Sequence, residues 1–244
     1  MLRLFTGTIL LTCFACLAAA QYAGDTFTLQ RLLERYTKSY GGVRDANQLA
    51  SISIEGVQIQ NGVAYDFDLR KKRPGMMHYQ LKKGATTLTT VYNGRQAWLQ
   101  VRKGSEGSVE ELSDASLETV EKEARFDSPL YRHQEQPDNK ITLEGREQVG
   151  LFQAFVLRVE EPGALTSRYY LHPENSLVLR IDRLDENGGL VLQTLYRDYK
   201  DVDGYPFAHV VENRSGGETI SVTRVHSILV NPGLLSFYFE KPGK

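Results

Sequence analysis

The chain has 244 residues, 41% of them hydrophobic and 24% charged, with only two cysteines. A mature chain of ~220 residues can bury a sufficient core without disulfides, and a single domain is the expectation for that length. The 29 basic side chains include Arg3 in the leader described below, and 30 side chains are acidic. The mature net charge is therefore −2, which gives no electrostatic footprint for nucleic acid or an anionic membrane surface.

The first 20 residues read as a signal peptide. Arg3 supplies the positive start, the stretch 4–17 is apolar, and Ala18-Ala19-Ala20 has the small-residue pattern of a cleavage site, leaving Gln21 as the first mature residue. The apolar run falls short of the ~20 residues of a membrane span, so an integral membrane protein is not expected. A competing reading makes Cys16 the lipidated residue of a lipoprotein signal, although Phe14 precedes it where a small residue is needed. Cys13 and Cys16 both lie in this leader, so residues 21–244 carry no thiol and no disulfide. The expected organisation is a signal peptide at 1–20 and one domain at 21–244.

One helix opens the mature chain. Leu29, Leu32, Leu33, Tyr36 and Tyr40 fall on one face of a 3.6-residue period. Thr28 is placed to cap it, Phe27 and Leu32 have the spacing of a hydrophobic staple, and Gly41-Gly42 ends it.

Strands follow. Residues 50–101 read as five strands separated by turns at Asn61-Gly62, Arg73-Pro74-Gly75, Lys83-Gly84 and Asn93-Gly94. Val63, Tyr65, Phe67 and Leu69 share one face of their strand, and Met77, Tyr79 and Leu81 share one face of the next. Ile52 and Ile54 lie on one parity but Val57 and Ile59 on the other, which predicts a bulge near Glu55-Gly56. A second helix is expected over 113–125, with Leu117, Val120 and Ala124 on one face and Ser128-Pro129 after it. Strands resume over 141–149, 151–160, 166–172, 177–186, 190–201, 207–213 and 218–230. The fold class is α+β, mainly β: one antiparallel sheet of about 11 strands that must curl, with helices over its concave side.

Catalytic signatures are missing from the sequence. It has no G-x-S-x-G elbow, phosphate-binding glycine loop, H-E-x-x-H or EF-hand loop. His209 and His226 can face one another on neighbouring strands, as a metal or acid–base pair or as ordinary hydrogen-bonded strand histidines. Asp66 and Asp68 read as a solvated strand face. No enzyme, metal or cofactor is expected. Asn213-Arg214-Ser215 has the N-glycosylation pattern, which matters only in a eukaryotic host. Aromatic side chains on sheet faces are abundant, and a curled sheet under two helices either packs them as core or leaves an apolar cavity.

The order of elements resembles the LolA/LolB lipoprotein-carrier superfamily, closest to the bacterial outer-membrane lipoprotein-sorting-like proteins. The stretches that carry the likeness are LRKKRPG at 69–75, VYNGRQAW at 91–98 and YKDVDGYP at 199–206, in which Pro206 follows Gly204 by two residues rather than three. The resemblance implies a half-barrel closed by a helical lid over a hydrophobic cavity, in a periplasmic protein that holds lipid or lipoprotein acyl chains. The residues expected to line that cavity are Leu33, Tyr36, Tyr65, Phe67, Tyr79, Leu81 and Trp98. It also implies a basic residue that latches the lid. Met76, Met77 and His78 stand where related chains often carry one; Arg70 or Arg95 could substitute, and the role is assigned to neither. The same fold resembles the N-terminal half of RseB-type regulators, so the alternative expectation is an envelope sensor that binds a partner protein.

Overall fold

A computed structural model describes residues 28–41, 49–131, 133 and 137–243. The leader with both cysteines, Phe27 and Gly42 lie outside the described residues.

Helix α1 (Leu29–Ser39) forms as its periodicity predicts. The Thr28 hydroxyl accepts from the Arg31 N–H at 3.3 Å, and Gly41, at φ +91°, carries the chain past its end. Leu32, Leu33 and Tyr36 are buried.

The sheet has 13 strands. The first meander contains β1 (Ser51–Gln60), β2 (Val63–Lys72), β3 (Met76–Lys83), β4 (Thr86–Tyr92), β5 (Ala97–Lys103) and β6 (Glu106–Leu112). The second contains β7 (Lys140–Val149), β8 (Phe152–Glu160), β9 (Thr166–Leu171), β10 (Val178–Leu184), β11 (Leu190–Val202), β12 (Tyr205–Ser215) and β13 (Glu218–Val230). β6 is the strand that periodicity does not announce. Its sequence, EGSVEEL, is mostly exposed and lacks apolar alternation. It forms because a two-residue turn at Gly104-Ser105 folds it back on β5, pairing Lys103 with Glu106.

All pairings are antiparallel, and β1 pairs with β13, so the two meanders join into one open sheet with β6 and β7 at its edges. Those edges are consecutive in sequence. The chain between them must therefore cross the mouth of the curved sheet, and helix α2 (Asp114–Ala124) with the segment after it makes that crossing. The result is an open antiparallel half-barrel whose concave side is partly covered by helices.

The bulge predicted in β1 is a register shift at Glu55/Gly56 in the β1–β13 pairing, with His226 as the extra residue. β1 itself keeps an unbroken register with β2. Ile52 and Ile54 thus face inward and Val57 and Ile59 outward. The phase of the apolar pattern changes because Gly56 occupies the inner face. A Cβ there would lie 2.7 Å from the Phe67 ring and 2.1 Å from the Arg224 carbonyl oxygen, so Phe67 fills the space that Gly56 leaves.

Candidate functional site between sheet and lid

The inner face is covered at one end and bare at the other. α1 lays Leu32, Leu33 and Tyr36 on Phe155, Leu157, Tyr169, Leu171 and Ile181 of the second meander, with Leu130 and Tyr131 of the crossing segment in the same cluster. α2 lays Val120 and Ala124 on Met77, Tyr92 and Ala97 of the first meander, flanked by Leu69 and Tyr79. Further along the same strands the register places Phe67 beside Leu81, Leu81 beside Leu88, and Leu88 beside Val101. No described helix covers that end. Leu88 is 40% and Val101 37% exposed, and Tyr65 and Leu81 are half-buried. Apolar side chains left partly exposed side by side on one sheet face make this end a candidate site.

Between the two helix-covered regions lies a cavity of about 260 Å³. It is walled by Tyr36 and Tyr40 of α1, Ile52 of β1, Lys71 at the end of β2, Arg73, the segment 126–128 with Tyr131, and 205–207 of β12. Two cations bind the crossing segment to the sheet here. Arg73 forms a bidentate pair with Asp127, both bonds 2.7 Å, and its Nε donates to the Leu49 carbonyl at 2.8 Å. The fork geometry of arginine suits this pairing. Its ring neighbour is Phe126, 5.0 Å from the guanidinium carbon. Lys71 donates to the carbonyls of Glu123 and Arg125, the latter at 3.2 Å. Those carbonyls end α2, where unsatisfied acceptors and the helix dipole favour a cation. Burial pulls the Lys71 pKa down to about 8, with the Glu123 carboxylate opposing the shift.

In geometric terms the latch, meaning the polar attachment of the crossing segment to the sheet, is made by Arg73 and Lys71, and neither Arg70 nor Arg95 takes part in it. Arg70 alternates with Lys71 and so faces outward, paired with Asp68 at 2.7 Å and stacked on Tyr238 at 4.2 Å. Arg95 lies in the exposed turn between β4 and β5. A signal for the true pair existed: Lys71 and Arg73 continue the parity of Tyr65, Phe67 and Leu69.

The wall under α1 is rich in tyrosine. Burial raises the pKa of Tyr36, Tyr40, Tyr169, Tyr196 and Tyr199, so all are neutral hydroxyls at physiological pH. Tyr199 donates to the Val178 carbonyl at 2.9 Å, and its oxygen lies 3.4 Å from that of Tyr40. Such rings offer apolar surface with a polar tip.

Of the residues expected to line the cavity, Tyr36 does so. Leu33 lies in the packed contact beneath α1. Tyr65, Phe67, Tyr79 and Leu81 share the inner face toward its open end, where the Tyr79 hydroxyl donates to Gln58 at 2.6 Å. Trp98 is on the other side of the sheet, because Ala97 is the residue that meets α2. It is nevertheless 4% exposed. That outer face is covered by the C-terminal segment after β13, whose 3-10 turn (Ser236–Phe239) packs on β3 and β4. Its Tyr238 lies over Arg70 and His78, and Gln100 donates to the Gly243 carbonyl at 2.6 Å. Among the described residues no group of His, Cys, Asp and Glu has the geometry of a metal site. His209 is buried with its ring 3.1 Å from the Phe207 carbonyl, whereas His226 is exposed at the bulge.

No family model and no curated protein matches the sequence. Solved structures do match the fold. A DUF1329 family protein from Desulfovibrio piger superimposes with a TM-score of 0.60 at 14% identity, covering 86% of this chain and 96% of its own. A domain described as an outer membrane lipoprotein-sorting protein domain from Vibrio parahaemolyticus gives 0.61 at 12% identity, covering 86% and 95%. A LolA superfamily protein from Nitrosomonas europaea gives 0.56 at 14% identity, covering 88% and 98%. The chain has a LolA-like fold along nearly its whole described length.

Proposed function

We propose that this is a periplasmic carrier, delivered by the leader at 1–20, that holds a lipid or acyl group between the curved sheet and its helical lid. The observation that carries this reading is the partly exposed apolar strip of Tyr65, Leu81, Leu88 and Val101, which continues along the inner face toward the cavity under the latch. Apolar surface of this kind is costly in water unless something covers it. An acyl chain carries about 0.8 kcal/mol per CH₂ of the same cost, so each offsets the other. The cavity, at about 260 Å³, lies just under the ~300 Å³ lower bound of small-molecule sites. A full acyl chain therefore needs the open strip as well, or movement of the lid. Movement of the lid would have to release the two polar attachments of Arg73 and Lys71 as well as the apolar contacts of Val120, Ala124, Leu130 and Tyr131. No bond making or breaking is required of the protein.

Native mass spectrometry of protein purified without detergent, with solvent extraction of the bound fraction, tests the reading. An apolar molecule of defined mass is expected, together with saturable uptake of Nile red. Leu88→Glu, placed on an exposed residue, is expected to weaken uptake about tenfold or more, since it puts a charge on the apolar strip. An empty protein that takes up no apolar probe overturns the proposal. If that empty protein instead draws a stoichiometric partner from envelope extract, the sensor reading replaces it.

A further inference from the structure

The cavity under the latch is not electrically neutral. Its charged wall residues are Lys71, Arg73 and Asp127, two cations against one anion. Asp127 is committed to Arg73 through both oxygens. Lys71 has no carboxylate within ion-pair distance among the described residues; it is held by two backbone carbonyls. An ammonium has three N–H donors, so one remains for another acceptor. A buried ammonium that feels the Glu123 carboxylate but makes no direct ion pair gains from a further acceptor. The rest of the wall is aromatic, with Tyr36, Tyr40 and Phe126 among its residues. Ile52 then leads, along the inner face, to Ile54 and Leu69 and on to Phe67 and Leu81.

We infer that this cavity is a head-group subsite for a single-chain monoanionic amphiphile of the fatty-acid class. Its carboxylate sits between Lys71 and Arg73, and its chain runs along the inner face to the open strip at Leu81 and Leu88. The inference rests on the carrier reading and adds the polarity and orientation of the cargo. The one excess positive charge among the wall residues, on a lysine with no direct ion pair, matches one negative charge. A phosphate monoester, with a charge of about −1.5 to −2 at neutral pH, would leave part of its own charge unmatched. The ligand carboxylate also competes with Asp127 for Arg73, so the ligand that enters the cavity loosens the attachment that closes it.

The test compares palmitate with hexadecanol, which share a chain and differ in the head group, by displacement of Nile red from the full mature protein. Palmitate is expected to bind at least about tenfold more tightly, the size of a charge-assisted hydrogen bond. Lys71→Met, which keeps the length of the side chain, is expected to bring the acid-to-alcohol ratio close to one. Asp127→Asn removes the internal competitor and is expected to raise the ratio. Because the ratio cancels any general change in lid opening or stability, the two variants must move it in opposite directions. Equal binding of acid and alcohol by the unaltered protein overturns the head-group subsite and leaves the carrier reading standing. A ratio unmoved by either variant does the same. Binding of neither compound overturns both.

Discussion

The outer face of the first meander is expected to respond to pH through His78. Its ring lies under the C-terminal segment, with Tyr238 at 6.3 Å between centroids, and Nδ1 is buried without a hydrogen-bond partner. Desolvation first, and then the positive charge of Arg70, lower its pKa from 6.5 to about 4. The folded protein thus disfavours the protonated ring relative to the unfolded chain. Stability is full above pH 6.5 and falls with pH until it levels off below pH 4. At pH 5 the loss is about 2 kcal/mol and below pH 4 about 3 kcal/mol, because a tenfold difference in proton affinity between the folded and unfolded chain is worth about 1.4 kcal/mol. The neighbouring Asp68 has its pKa raised by burial, which favours the folded state as pH falls and partly offsets the effect. Comparison with His78→Gln isolates the histidine. The assay is urea unfolding at pH 7, 5 and 4, followed by the emission of Trp98, the chain's one tryptophan. Trp98 lies on the same face, one strand beyond Val91, the neighbour of His78. Emission is expected to shift to the red in the native baseline at pH 4 as the C-terminal segment loosens, and not in the variant. If wild type and His78→Gln lose stability in parallel from pH 7 to 4, the account of His78 is wrong.

Two further outcomes follow from the inner face and the latch. Gly56→Ala forces its new methyl against the Arg224 carbonyl and the Phe67 ring; a cost of about 1–3 kcal/mol is expected, measured as a fall in Tm of several degrees. An unchanged Tm would mean that β1 and β13 separate there at little cost. Arg73→Met removes the bidentate attachment to Asp127 and the bond to Leu49. Hydrogen exchange is expected to rise in α2 and 125–131 while β8 to β10 keep their protection, and a uniform rise would show that Arg73 holds the whole fold rather than the lid.

Much of this fold is local and legible as such. The Leu29–Tyr40 stripe makes α1, Asn61-Gly62 and Asn93-Gly94 fall in turns, and the alternation in 63–69 and 77–81 assigns faces that the structure keeps. β6 is not legible because an edge strand has one partner and its outward charges protect an unpaired edge rather than a core. Trp98 goes to the wrong face for a related reason. Alternation says which residues share a face but not which face is the inside, and here a C-terminal segment without regular periodicity buries the outer face as thoroughly as a helix would.

The sequence by itself determined most of the elements, their turns and the expectation of export, because these depend on neighbours a few residues apart, and the order of those elements pointed to the kind of fold. Tertiary structure alone decided that β1 closes onto β13, which end of the inner face stays bare, and that Lys71 and Arg73 meet the crossing segment. Those outcomes depend on contacts between residues more than fifty positions apart, as with Arg73 and Asp127. The physical reason is that long-range pairing follows from how the whole sheet curls, and no single segment encodes that.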